Sequence, residues 1–199
     1  LSLQVDARVL DPRDDTETLV EWALSCMADV SSPNMVDLGT GSGAIALALA
    51  SERPAWRLTG VDRVVEAVAL AERNRARLNL NNASFSESHW FSALAGQRFQ
   101  LIVSNPPYIA EGDPHLSALT HEPSSALTSG ADGLDDIRTI VAQAGQHLVR
   151  GGWLLLEHGH DQGAAVRGLL ARAGFTAVST RTDLAGLDRC SGGQWAGRG

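Results

Sequence analysis

Apolar and polar residues follow two different periods along this chain, and the two periods alternate. Short apolar runs predict strands over residues 2–9, 35–38, 57–61, 83–86, 99–104, 153–156 and 175–180. Apolar residues repeated every three or four positions predict helices over residues 16–28, 44–52, 66–80, 134–149 and 163–173. Short apolar strands that alternate with helices are typical of a parallel sheet covered by helices on both faces. The pattern therefore predicts an α/β fold.

Several connecting segments complete this picture. Asp14 or Asp15 would cap the first helix. Residues 110–130 form the longest stretch without a period, and a loop of about 20 residues is usually functional. The Gly-rich tail 192–199 is expected to fray or to pair at a sheet edge.

The same pattern suggests how the chain is organised. Gly151 and Gly152 are expected to turn the chain into the apolar strand that follows them. We expect one main domain over residues 31–199, with residues 1–30 as a hairpin and helix that lead into it.

A glycine loop carries the first chemical signal. The sequence VDLGTGSGAIALALA places it directly after a predicted strand, where it opens a helix. Gly39, Gly41 and Gly43 would let the backbone approach a ligand where any Cβ would collide. Asp62 ends the next strand, where its carboxylate would accept hydrogen bonds from a ribose. A tight turn with no ligand would not explain the matched Asp62, so we expect a nucleotide-type cofactor.

The charge beside this loop narrows the choice of cofactor. Gly39, Gly41 and Ala44 also satisfy the relaxed dinucleotide pattern G-x-G-x-x-G/A, which is a weak signal alone. Asp37 lies directly before the loop, and its carboxylate would repel a pyrophosphate. The sulfonium and amino groups of S-adenosylmethionine fit an acidic strand end better. DLGTGSG followed by Asp62 resembles the class I S-adenosylmethionine-dependent methyltransferases.

The second signal is SNPPYI, which follows the predicted strand 99–104. Proline has no N–H to donate and ends a strand. The side-chain oxygen of Asn105 and the carbonyl of Pro106 can each accept one N–H of a planar NH2 group. This turns the nitrogen lone pair out of conjugation and towards a methyl donor. The prolines would keep both acceptors still, and Tyr108 can stack on a flat substrate.

Composition limits the partners. The formal net charge is -7 and the pI is about 5.3, which argues against broad electrostatic binding to nucleic acid or to an anionic membrane. No apolar run approaches the roughly 20 residues of a membrane span. Cys26 and Cys190 make no disulfide framework, which favours a reducing compartment. We therefore expect a cytoplasmic protein that has no membrane or direct nucleic-acid partner.

The whole chain resembles the catalytic domain of the HemK/PrmC family, the N5-glutamine methyltransferases of peptide chain release factors. The resemblance rests on LDPRDDTETLV, VDLGTGSGAIALALASERP, ESHWFSALAGQRF, VSNPPYI and GGWLLLEHG. It implies a doubly wound, mostly parallel seven-stranded sheet of the Rossmann-like class I type, with residues 31–199 as the methyltransferase domain. It also implies that the helical domain which normally precedes this one, and which helps to hold the release factor, is absent.

The resemblance further implies a role for individual residues. S-adenosylmethionine, which becomes S-adenosylhomocysteine, would be bound by Asp37, Gly39, Thr40, Gly41, Ser42, Gly43, Asp62, Trp90 and Asn105. Trp90 would border the adenine. The glutamine amide would be held by Asn105, Pro106, Pro107 and Tyr108, of which Asn105, Pro106 and Tyr108 are the catalytic set. Arg13 and Glu17 would lie near the mouth of the site and contact the protein substrate, and no metal is expected. His89 stands where many relatives have an acid.

Other conspicuous residues have simpler interpretations. The run EHGHD at residues 157–161 looks metal-like, but alternating residues at a strand end rarely converge on one ion, so we expect structural or solvated roles. Cys26 is expected to be buried. Trp22, Trp56 and Trp153 are expected in the core. Asp183 and Asp188 are expected to flank a turn.

Three functions remain open. The favoured one is methyl transfer to the side-chain amide nitrogen of the glutamine in the GGQ motif of release factors. A related alternative is methyl transfer to a glutamine of a ribosomal protein. The second is adenine-N6 methylation of nucleic acid, since NPPY also occurs in those enzymes. The third is a catalytically silent module that binds the cofactor or a partner.

Overall fold

The computed structural model describes residues 3, 16–114, 116 and 126–197. Within these residues one sheet holds seven strands: β1 Asn34–Leu38, β2 Arg57–Asp62, β3 Ala83–Glu87, β4 Phe99–Ser104, β5 Leu148–Glu157, β6 Phe175–Thr182 and β7 Asp188–Trp195. The helices of the same residues are α1 Thr16–Cys26, α2 Ala44–Glu52, α3 Val65–Arg77, α4 Asp135–His147 and α5 Gly163–Arg172. None of these helices has the length and apolar character to cross a bilayer.

The strand order across the sheet is β3-β2-β1-β4-β5-β7-β6. Strands β1 to β5 pair in parallel, and β7 runs antiparallel to both β5 and β6. The order reverses between β1 and β4, and in such sheets a ligand binds outside the carboxyl ends of the strands at the point of reversal. The predicted doubly wound, mostly parallel seven-stranded sheet is confirmed.

Two hydrophobic clusters cover the two faces of the sheet, because alternate residues of a strand point to opposite faces. Ile102 and Leu154 belong to the cluster under α4 and α5, while Leu101 and Leu155 belong to the cluster under α1 and α2. All four are fully buried, and truncation of such a side chain to Ala typically costs about 2–5 kcal/mol. The strand ends are therefore held by a rigid two-sided core.

Helix α1 shares this core. Leu19 and Trp22 are buried in the cluster that also contains α2. The N-terminal segment from residue 16 thus packs with the sheet. The predicted boundary between residues 30 and 31 stays a prediction, and the predicted strand 2–9 and the caps Asp14 and Asp15 lie outside the described residues.

The expectation that the tail frays or pairs at a sheet edge is wrong for residues 192–195. Strand β7 lies inside the sheet between β5 and β6. A Cβ on Gly192 would lie 2.5 Å from Leu155 Cδ2 and 2.7 Å from the Leu154 carbonyl. Gly192 therefore allows β7 to approach the side chains and backbone of β5 closely, and residues 192–195 are paired and not frayed.

The predicted boundary around residue 150 is also wrong. Helix α4 ends at His147, and β5 begins at Leu148 and continues through Gly151 and Gly152. Gly151 has φ 82°, and the pairing with β4 shifts register beside it. The two glycines form an irregularity within the strand and not a turn before it.

The remaining core assignments are mixed. Trp22 and Trp56 are buried as predicted, whereas Trp153 and Cys26 are half-buried. Asp183 lies at the start of the turn before β7, where its Oδ1 accepts the N–H groups of Ala185 and Leu187. Asp188 opens β7 on the other side, so the predicted turn is confirmed.

Candidate active site

The carboxyl ends of β1 and β4 meet at the point where the strand order reverses. The hydroxyl of Ser104, the last residue of β4, donates to the carbonyl of Leu38, the last residue of β1, at 2.7 Å. Ser104 and Leu38 are both fully buried. This bond fixes the spacing between the glycine loop that leaves β1 and the Asn-Pro-Pro-Tyr turn that leaves β4.

The glycine loop is tied to the end of β2. The N–H groups of Gly39 and Thr40 both donate to the Val61 carbonyl, at 2.8 and 2.9 Å. Gly39 and Gly41 have φ 69° and 55°, a left-handed conformation that glycine adopts without strain. The predicted strand, glycine loop and helix are present, and helix α2 starts directly after the loop.

Gly43 serves packing, which the sequence did not indicate. A Cβ at this position would lie 3.0 Å from Leu47 Cδ1, 3.1 Å from Phe85 Cζ and 3.2 Å from Ala71 Cβ. Its φ of 84° adds a second reason for glycine. The third glycine of the loop therefore allows α2 to pack closely against β3 and α3. The space that a side chain at position 43 would need is occupied by Leu47, Phe85 and Ala71.

Asp62 holds the loop in place. Its Oδ2 accepts the N–H of Gly41 and its Oδ1 accepts the N–H of Val64, each at 2.9 Å. Each carboxylate oxygen has a second lone pair that is available to a further donor. The sequence suggested only the ligand-binding role, while the geometry adds a role in shaping the loop.

Asp37 is a buried carboxylate with spare hydrogen-bonding capacity. Only 1% of its surface is exposed, and its Oδ2 accepts the Thr40 hydroxyl at 2.7 Å. Its Oδ1 has no hydrogen-bond partner among the described residues. Burial raises the pKa of Asp37 to about 7, the Thr40 hydroxyl and the nearby backbone N–H of Ala46 partly lower it, and the charge of Asp62 raises it further. Such a carboxylate is suited to a cationic group, which would provide the missing partner.

Trp90 borders the same loop. Its ring carbon Cζ3 would lie 3.4 Å from a Cβ placed on Gly39. The residue is 9% exposed, has φ 50°, and its buried Nε1 has no partner among the described residues. Two more residues expected at the cofactor are buried within the loop: Thr40, which bonds to Asp37, and Ser42, whose carbonyl accepts Asn74 Nδ2 at 2.9 Å.

Ser88 positions Trp90 and was not predicted from the sequence. Its hydroxyl donates to the Trp90 carbonyl at 2.8 Å and accepts the N–H of Ala93 at 3.0 Å. Its own N–H donates to the Asp62 carbonyl at 2.9 Å. Ser88 therefore connects the end of β2 to the turn that carries Trp90. The φ of Trp90 lies in the left-handed region, which is strained for a residue other than glycine. A lone serine after a strand gives no signal of this role, and the adjacent His89 is exposed.

The Asn-Pro-Pro-Tyr turn, which follows β4, contains one buried hydrogen-bond acceptor without a partner among the described residues. Asn105 is half-buried, and its Oδ1 is buried without a partner among the described residues. Pro106 is buried, while Pro107 and Tyr108 are half-buried. Buried polar atoms of native proteins are nearly always paired, so an orphaned amide oxygen indicates a place for a ligand donor.

Of the two residues predicted at the mouth of the site, Glu17 is among the described residues. Arg13 lies outside the described residues. Glu17 is exposed in the first turn of α1, and the neighbouring Thr16 hydroxyl donates to Glu157 Oε2 at 3.1 Å, at the carboxyl end of β5. The start of α1 is thus attached to the same edge of the sheet as the glycine loop.

The EHGHD run has a structural role at this edge. His158 is buried, its Nδ1 lies 2.8 Å from the Gly159 carbonyl and its Nε2 lies 2.7 Å from Ser191 Oγ. Burial lowers the pKa of His158, which favours the neutral ring, and in that form Nδ1 donates to the Gly159 carbonyl and Nε2 accepts the Ser191 hydroxyl. His160 and Asp161 are exposed. Within the described part of the chain, no three His, Cys, Asp or Glu residues are grouped as metal ligands.

Comparison with known proteins agrees with this geometry. The family model for the methyltransferase small domain matches residues 15–131. The chain is 62% identical over 198 residues to the release factor glutamine methyltransferase of Pseudomonas aeruginosa, covering 98% of this chain and 71% of that protein.

The fold is also similar to solved structures of methyltransferases. A methyltransferase from Pyrococcus furiosus has a TM-score of 0.72 at 18% identity, covering 100% of this chain and 90% of the other. The Thermus thermophilus 16S rRNA N2 G1207 methyltransferase, solved with AdoMet and guanosine, has a TM-score of 0.66 at 24% identity, covering 94% and 43%. These likenesses concern the fold, while the sequence identity confirms the predicted family: this chain belongs to the release factor glutamine methyltransferases.

Proposed function

We propose that this protein transfers a methyl group from S-adenosylmethionine to the side-chain amide nitrogen N5 of the glutamine in the GGQ motif of peptide chain release factors. The observation that carries the proposal is the buried, unpartnered Oδ1 of Asn105 at the end of β4. It lies beside a strand end that carries a second orphaned acceptor, Oδ1 of Asp37. Membership of the family supports the same substrate.

The cofactor would be held by the residues around the glycine loop. Asp37 offers a buried carboxylate oxygen to a cationic group, and Asp62 has one lone pair left on each oxygen. Trp90 offers a flat ring and an indole N–H beside Gly39. When bound, S-adenosylmethionine supplies an electrophilic methyl group on a positively charged sulfur. These three side chains match the amino group, the ribose and the adenine of such a ligand in chemistry.

The substrate amide would be held by the turn after β4. The lone pair of an amide nitrogen is delocalised, so the free amide is a poor nucleophile. Asn105 Oδ1 would accept one N–H and the Pro106 carbonyl the other, which holds the nitrogen with its lone pair directed at the methyl carbon. Tyr108 would pack against the flat amide. The nitrogen would gain the methyl group as the donor's carbon–sulfur bond breaks and S-adenosylhomocysteine leaves, and one proton would pass to solvent, so no strong general base is required.

Recognition of the protein substrate extends beyond this turn. We assign Glu17 and Arg13 to the mouth of the site, supported by the bond that attaches the start of α1 to the end of β5. The net charge of -7 is consistent with a protein partner in preference to nucleic acid. We place the enzyme in the cytoplasm, which is supported by the low cysteine content of the chain, two in 199 residues.

Transfer of radiolabelled methyl groups tests this proposal. The protein is incubated with labelled S-adenosylmethionine and, separately, with a whole release factor, the same factor with its GGQ glutamine replaced by Ala, ribosomal proteins, and adenine-rich DNA and RNA. We expect label on the intact release factor alone. Label on nucleic acid, or undiminished label on the factor without that glutamine, would refute the proposed substrate.

A further inference from the structure

One side chain far along the chain connects three loops around the substrate turn. Gln162 lies directly before α5 and is half-buried. Its Nε2 donates to the Tyr108 carbonyl at 2.9 Å and to the Asp132 carbonyl at 3.3 Å, and its Oε1 accepts the N–H of Gly159 at 2.8 Å. Both donor hydrogens and the oxygen of this amide are therefore used between main-chain groups.

A glycine packs against the same carbonyl. A Cβ placed on Gly133 would lie 2.1 Å from the Tyr108 oxygen and 2.8 Å from Gln162 Nε2. Gly133 also has φ 75°, a conformation in which other residues are strained. The Tyr108 carbonyl thus sits in a close-fitting socket formed by Gln162 and Gly133.

This socket is important because the turn itself has few donors. Pro106 and Pro107 have no N–H, so the main chain of this turn cannot be fixed by hydrogen bonds from either residue. The chain is instead held just after them, by Gln162 at Tyr108 and by a bridge at the next residue. There the N–H of Ile109 donates to Leu127 at 2.9 Å, and its carbonyl accepts the N–H of Ser129 at 3.0 Å.

We infer that Gln162 is a positioning residue for methyl transfer, an inference that rests on the proposed function. By holding the Tyr108 carbonyl, it fixes the two acceptors just before it, Asn105 Oδ1 and the Pro106 carbonyl, in the reactive geometry. A displacement of about 1 Å in a reacting group costs on the order of 100-fold in rate. Removal of Gln162 should therefore lower kcat, and it should leave cofactor binding intact because none of these side-chain hydrogen bonds involves Asp37 or Asp62.

Two variants and a matched control separate positioning from general stabilisation. Gln162→Ala removes the amide, and Gln162→Glu keeps its length and its acceptor for Gly159 but loses the donor to Tyr108. Gln194 is the control, since its Nε2 also donates to a main-chain carbonyl, that of Gly151 at 2.9 Å, near the opposite end of β5. Each change removes at least one side-chain hydrogen bond to a main-chain carbonyl, and only the two Gln162 changes affect the socket.

Two readouts follow from the chemistry of the site. The first is the steady-state rate of methyl transfer to a GGQ peptide. Calorimetric titration with S-adenosylhomocysteine gives the number of sites that bind the cofactor and their Kd. The second is the ¹⁹F NMR signal of protein labelled with 3-fluorotyrosine, which reports one position because Tyr108 is the single tyrosine of the chain. The NMR readout does not depend on the proposed function.

We expect both Gln162 variants to lower kcat by about 10-fold to 100-fold. The number of cofactor sites and the cofactor Kd should stay unchanged, and the ¹⁹F signal should shift and broaden. Gln194→Ala should match the wild type in both readouts. An unchanged kcat and fluorine signal in the Gln162 variants, or an equal loss in Gln194→Ala, would overturn the inference. A shifted signal in a protein whose wild type does not methylate the peptide would instead refute the proposed function while the socket stands.

Discussion

Replacement of Asp37 by Asn should change how the stability of the unliganded protein depends on pH. The carboxylate is almost fully buried, and burial raises its pKa from 3.8 to about 7. Asn has the same shape, and its oxygen can still accept the Thr40 hydroxyl. The variant therefore removes the charge with little change in packing.

The direction and size of this pH effect follow from the linkage between proton binding and folding. The folded state binds a proton at Asp37 more tightly than the unfolded state, so its contribution to stability is complete at low pH. That contribution is lost as the pH rises from about 4 through about 7. The shift is about three pKa units at 1.36 kcal/mol each, or about 4 kcal/mol in all, of which about 3 kcal/mol falls between about pH 5 and pH 8.

Urea unfolding of both proteins across this range measures the effect. The substitution removes the ionisable group at position 37 alone, so the difference in unfolding free energy between the two proteins reports mainly Asp37. We expect the variant to gain about 3 kcal/mol relative to the wild type between about pH 5 and pH 8. Asp29→Asn, a change of an exposed carboxylate, should follow the wild-type profile.

The same variant links stability to the cofactor. Saturating S-adenosylmethionine should stabilise the wild type at about pH 8 and bind the variant more weakly, by about 1.5–3 kcal/mol for a lost charged hydrogen bond. A difference in unfolding free energy between wild type and variant that stays constant across the pH range would refute the reasoning. It would show that folding does not raise the pKa of Asp37.

Three further predictions concern the neighbouring residues. Asp62→Ala should weaken cofactor binding by about 1.5–3 kcal/mol, because a charged acceptor and the anchor of Gly41 are both lost, and unchanged affinity in calorimetry would remove Asp62 from the site. Asn105→Ala should lower turnover by about 10²–10³ while cofactor affinity changes little, and turnover near wild type would end the proposed role of its oxygen. Gly43→Ala should destabilise the fold by about 1–3 kcal/mol through overpacking and a strained φ, and an unchanged urea midpoint would show that the packing relaxes.

The fold was largely predictable from local pattern. Strand β1, the glycine loop and α2 adjoin in sequence, and each has its own signal in apolar period and glycine spacing. The tail was not predictable in this way. Position 192 requires glycine because a Cβ there would collide with Leu155. Leu155 is remote in sequence and becomes a neighbour of Gly192 only when β7 pairs with β5.

The candidate site likewise contains residues that could be identified from the sequence and residues whose role depends on the fold. Asp37 and Asn105 were identifiable because each lies at a strand end next to a recognisable turn. Ser88 and Gln162 were missed because they act through main-chain groups, and a carbonyl carries no sequence signal. Gln162 is 54 residues from Tyr108 along the chain, and only the fold brings them together. Arg13 lies outside the described residues, so its place at the mouth stays a prediction.

The most direct test of the central claim is to locate the methyl group on the product. A whole release factor is treated with the wild-type protein or with Asn105→Ala, digested and sequenced by tandem mass spectrometry. We predict one added methyl group on the side-chain amide of the GGQ glutamine with the wild type, and loss of nearly all of it with the variant. A methyl group on any other residue, or equal methylation by Asn105→Ala, would contradict the account.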